Sequence, residues 1–91
     1  MTTFIVESYA ADADAADAEQ RARLAAEVGT GVRYVRSTFL PGDETVLHAF
    51  EADSAEALQQ AVLAAELPYD RIVEAVEAAA GGLDGGRGLN R

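Results

Sequence analysis

No cysteine occurs in the 91 residues. Disulfides, thiolate metal sites and cysteine nucleophiles are therefore excluded. Basic residues are scarce, seven against sixteen acidic ones, for a formal net charge of -9. That balance repels phosphate backbones, and no arginine cluster overrides it, so nucleic acid and anionic membrane are not expected as partners. With one histidine there is no multi-histidine metal motif and no Ser-His-Asp set of readable spacing. No apolar run approaches the length of a membrane span. Met1 to Tyr9 lacks the basic flank of a signal peptide, and the expected location is the cytoplasm.

What is present fits one domain. About half of the residues are hydrophobic, but much of that is alanine, which buries little area. The core must come from the few Val, Leu, Ile, Phe and Tyr side chains. A domain this small has marginal stability, and pairing with a second copy is one route to further burial.

Thr3–Tyr9 is β-branched and aromatic and reads as a strand. Ala10–Val28 reads as a helix, acidic early and basic late, with Ala18, Ala22, Ala25 and Val28 as its apolar stripe and Leu24 beside them. Gly29-Thr30-Gly31 stops it. Val32–Leu40 and Thr45–Glu51 read as strands around the Pro41-Gly42-Asp43 turn. Asp53, with Glu56 three places on, is the expected cap of a second helix striped by Leu58, Ala61, Val62 and Ala65. Leu67-Pro68-Tyr69 ends that helix, and Arg71–Val76 reads as a fourth strand, with a helix as the competing reading. The order βαββαβ implies a ferredoxin-like α+β fold, with a four-stranded antiparallel sheet and both helices on one face. Residues 1–78 are assigned to this domain, and 79–91 to a Gly-rich flexible tail.

Side-chain alternation sorts the strands by face. Phe4 and Val6 are assigned to the helix side in the first strand, Val35 and Phe39 in the second, Leu47 and Ala49 in the third. The opposite, open face then gathers Glu7, Tyr9, Tyr34, Arg36, Thr38, His48 and Phe50. Glu7 and Arg36 are expected to pair across adjacent strands. This mixed surface suggests a homodimer that encloses a small anionic or aromatic ligand, held by Arg36, Tyr34 and Phe50 with Tyr9 and Thr38 nearby. The alternative is a cofactor-independent enzyme in which His48 or Glu7 acts as general base and Arg36 stabilises the anion formed. The acidic run Asp12, Asp14, Asp17 reads as a solvated helix start, because it lacks the glycine and distal glutamate of a calcium loop.

The segments FIVES (Phe4 to Ser8), GVRYVRSTF (Gly31 to Phe39), HAFEADSAEAL (His48 to Leu58) and LPYDRIVEA (Leu67 to Ala75) together resemble the domain-of-unknown-function family numbered 4242, over roughly residues 3 to 76. The resemblance implies a dimeric α+β barrel with two sheets packed face to face. The family includes a nickel-binding member, so weak nickel binding is a further alternative that the resemblance implies. In that member the histidines fall near positions 8 and 9 and near 33 and 36. This chain has Ser8, Tyr9, Arg33 and Arg36 there, and arginine cannot ligate a metal. No cofactor is otherwise expected. Related α+β barrels include monooxygenases, cyclases and isomerases, an analogy of fold alone.

Overall fold

The computed structural model describes residues 1–76, and the tail assigned from residue 79 lies outside them. Its elements are β1 (Thr2–Tyr9), a 3-10 turn at Asp12–Asp14, α1 (Ala15–Val28), β2 (Val32–Leu40), β3 (Thr45–Ala52), α2 (Ala55–Ala64) and β4 (Arg71–Ala75). The sheet order is β2-β3-β1-β4, and every neighbouring pair is antiparallel. This is the ferredoxin-like α+β arrangement that the element order predicts. Arg71–Ala75 is a strand, as favoured over a helix.

Local chemistry explains the joints. The Gly29 amide donates to the Ala25 carbonyl at 2.9 Å, and a Cβ on Gly29 would collide with that of Ala61, so α1 and α2 approach closely there. Gly31 has φ +71° and its carbonyl accepts from the Asp53 amide at 3.0 Å. That bond joins the start of β2 to the end of β3. The expected Asp53 cap is thereby corrected. Ser54, in extended backbone one residue later, caps α2 by accepting from the Ala57 amide at 3.1 Å.

Ala18, Ala22 and Ala25 of α1 and Leu58, Ala61 and Val62 of α2 are buried, with Ala65 just beyond. Leu24 and Val28 stand on the shoulder of the α1 stripe and remain exposed, against expectation. In β1, Phe4, Val6 and Ser8 face the helices.

In β3 the expected faces are reversed. Val46, His48, Phe50 and Ala52 are buried beneath the helices, while Leu47, Ala49 and Glu51 belong to the open side. The register is the reason. Phe4 is opposite Phe50, Val6 opposite His48 and Ser8 opposite Val46, and directly opposed residues share a face. Two short, mostly apolar sets on one strand cannot be told apart by hydrophobicity, but pairing to β1 separates them.

In β2 strict alternation fails for a different reason. Tyr34 is opposite Phe50 and Arg36 is opposite Ala49, so Val35 is an extra residue and the strand carries a β-bulge. Before the bulge Val32 and Tyr34 lie on the helix side, and after it Ser37 and Phe39 do. Val35 is turned to the open side and is exposed, which corrects its assignment to the core.

Candidate functional site

The register gathers an unforeseen polar chain beneath the helices. His48 is fully buried on β3. Its Nδ1 lies 2.7 Å from the Ser37 hydroxyl, which lies 2.8 Å from the Tyr34 hydroxyl. Packing fixes the outer end of the chain. The Tyr34 ring meets Phe50 edge-on with centroids 5.7 Å apart, and the Arg23 guanidinium stacks 4.8 Å from the Tyr34 centroid. Arg23 is held in turn by Glu19 at 2.8 Å. The other nitrogen of His48, Nε2, is buried and has no hydrogen-bond partner among the described residues. Burial pushes the imidazole down to about 4, opposed only by the charge of Glu19. The ring is therefore neutral at physiological pH.

The open face presents a different surface. Thr3, Ile5, Val35, Arg36, Ala49 and Glu51 border a shallow cavity of about 360 Å³, with Ala75 and Val76 at its far side. Arg36 is exposed and makes no ion pair among the described residues. The other arginines of those residues are all paired: Arg21 with Asp17 and Glu66, Arg23 with Glu19, Arg33 with Glu51, and Arg71 with Glu7. The Glu51 carboxylate beside the cavity is thus engaged at 2.8 Å by Arg33, which lies opposite it in register and shares the open face.

The residues predicted for one surface are divided between two. Glu7, Tyr9, Arg36 and Thr38 lie on the open side, while Tyr34, His48 and Phe50 lie on the helix side. The expected Glu7–Arg36 pair does not form, because β3 runs between β1 and β2. Glu7 pairs with Arg71 of β4 at 3.0 Å instead. The Tyr9 hydroxyl donates to Glu44 at 3.2 Å, at the far end of β1. A base role for His48 toward a substrate at Arg36 has no geometric support, since the sheet separates the two. Ser37 carries no signal of its own, because its partners Tyr34 and His48 are assigned by alternation to the other face and nothing in the sequence marks the bulge that turns Tyr34 inward.

No group of three or more His, Cys, Asp or Glu side chains among the described residues is placed to hold a metal ion. No helix among them is long and apolar enough to cross a membrane.

Comparison with known proteins adds the family. No curated protein matches the chain. Among solved structures, the crystal structure of SCO4226 from Streptomyces coelicolor A3(2) is similar, with TM-score 0.64 and 25% identity over 85% of this chain and 99% of that one. The family described as "Nickel responsive protein SCO4226-like" matches residues 4–75, and it is the family noted in the sequence under another label. With more than half of its length matched, the chain belongs to the SCO4226-like family of nickel-responsive proteins.

Proposed function

We propose that the open sheet face binds a small organic anion, a carboxylate or phenolate with an apolar body, in a cavity closed by a second copy of the chain. The supporting observation is Arg36. In a chain of net charge -9 it is a guanidinium with no carboxylate partner among the described residues, beside a cavity walled by Ile5, Val35 and Ala49. A guanidinium offers a fixed charge and a planar fork of donors that matches a carboxylate. Thr38, the next open-side residue of β2, adds a hydroxyl, and the apolar wall accepts the body of the ligand. Ile5, Leu47 and Val73 continue that wall as half-buried side chains across three strands. A second copy would cover them and exclude water from the ion pair.

The family name favours a second reading, a response to nickel. The residues do not fit a nickel centre within one chain. Nickel takes imidazole-rich sites, and the one histidine has its Nδ1 at Ser37 and its ring beneath the helices.

Both readings meet in one set of measurements. Titration with benzoate, followed by heteronuclear NMR, should shift Arg36, Thr38 and Ala49. Arg36→Ala should weaken binding about tenfold or more, while Arg21→Ala on α1 should leave it unchanged. Sedimentation should give a dimer that Leu47→Arg dissociates. Shifts confined to other residues, or equal affinity in Arg36→Ala, would remove the anion reading. Stoichiometric nickel in untagged protein would replace it with the metal one.

A further inference from the structure

We infer that Tyr34, Ser37 and His48 form a latch that pins the β2 bulge and so aims Arg36 at the open face. This rests on the anion reading above for its functional consequence. The three are positioning residues on the opposite side of the sheet from Arg36.

β2 is an edge strand, paired among the described residues only to β3. Its extra residue lies between Tyr34 and Arg36. With strict alternation from Tyr34, residue 36 would share Tyr34's face and a guanidinium would lie beneath the helices, where an unpaired charge is prohibitive. The bulge resolves that conflict by letting Val35 and Arg36 both oppose Ala49 on the open side. An edge-strand bulge can migrate by a residue unless something fixes it, because the ladder is held from one side alone.

The fixing groups bracket it. Tyr34 lies just before the bulged pair and Ser37 just after. Their hydroxyls meet at 2.8 Å on the helix side, so a hydrogen bond spans the bulge like a staple. His48 then anchors the staple to β3, with its Nδ1 2.7 Å from the Ser37 oxygen, directly opposite in register. His48 cannot shift to follow a moving bulge, since it is fully buried and its strand pairs on both edges. If the bulge moved by one position, Ser37 would leave His48 with both ring nitrogens buried and unpartnered, a state that folded proteins avoid. Tyr34 and His48, which alternation places in the ligand site, thus act from behind it together with Ser37.

The test uses the full chain and two readouts. Hydrogen exchange of the Val35 and Arg36 amides reports the bulge, and benzoate titration reports Arg36. In Ser37→Ala both amides should exchange about tenfold faster, and benzoate affinity should fall about tenfold, with no substitution on the open face. Ser37→Thr, which keeps a hydroxyl, should restore both. If Ser37→Ala does not fold, Tyr34→Phe opens the outer link alone and carries the same expectation. Unchanged exchange at Val35 and Arg36 in a folded variant overturns the latch whatever benzoate does. Faster exchange with no benzoate binding in the wild type would uphold the latch and remove the anion reading. Faster exchange with unaltered benzoate affinity would show that the latch does not aim Arg36.

Discussion

Consider the free energy of unfolding measured from about pH 7.5 down to about pH 4.5, for the wild type and for His48→Gln. In the folded state His48 is fully buried, one nitrogen is on Ser37 and the other has no partner among the described residues. Burial lowers its pKa from 6.5 to about 4, with Glu19 opposing. The unfolded chain takes up its proton near 6.5, whereas the folded chain resists until about 4. Neutral His48 therefore supports the fold fully above 6.5, and that support declines as pH falls toward 4. Each pH unit in the window costs about 1.4 kcal/mol, and the whole window about 3 kcal/mol. For a small domain near the low end of the usual 5–15 kcal/mol range, that is about half of its stability. Urea unfolding at several pH values gives the free energies. Glutamine cannot titrate, and carboxylate effects are shared by both proteins, so the difference between the two curves isolates the imidazole. The expected difference narrows or inverts by about 3 kcal/mol as the pH falls, because only the wild type incurs the cost of protonation. Parallel curves would refute the reasoning, as would an imidazole C–H resonance titrating near its ordinary value in the folded protein.

Three further outcomes follow from the packing. Phe50→Ala should cost about 3–5 kcal/mol in urea unfolding, because Phe50 is fully buried against Tyr34; a loss under about 1 kcal/mol would mean that it faces solvent. Ser54→Ala should cost about 1 kcal/mol by removing the α2 cap, whereas Asp53→Asn should leave that cap intact. Gly31→Ala should cost about 2 kcal/mol or more in the same assay, since the residue has positive φ and its new Cβ would meet the Asp53 carboxylate.

Arg36 and Thr38 were placed on the open face by alternation counted along β2, and the structure places them there. Tyr34 on the same count was not, because one unpaired residue changes the parity of everything before it. His48 and Phe50 failed for another reason. The set Val46, His48, Phe50 and the set Leu47, Ala49 are both apolar enough to be a core, and nothing within β3 ranks them. Partner assignment fared likewise. Glu7 and Arg36 have opposite charges on one face, but sheet order assigns Glu7 to Arg71 and leaves Arg36 without a carboxylate among the described residues.

Local signals along the chain are enough to set the elements and their order. Periodicity, β-branched runs, and Gly and Pro punctuation act within a few residues of one another, and those signals give the βαββαβ frame, the buried stripe of α2 and the net negative charge. Strand pairing sets which side of β3 is buried, where the bulge in β2 falls, and hence that His48 meets Ser37 behind the sheet while Arg36 stands in front of it. Those are matters of register between strands, and register is set by long-range pairing, where a shift of one residue reverses every face at once.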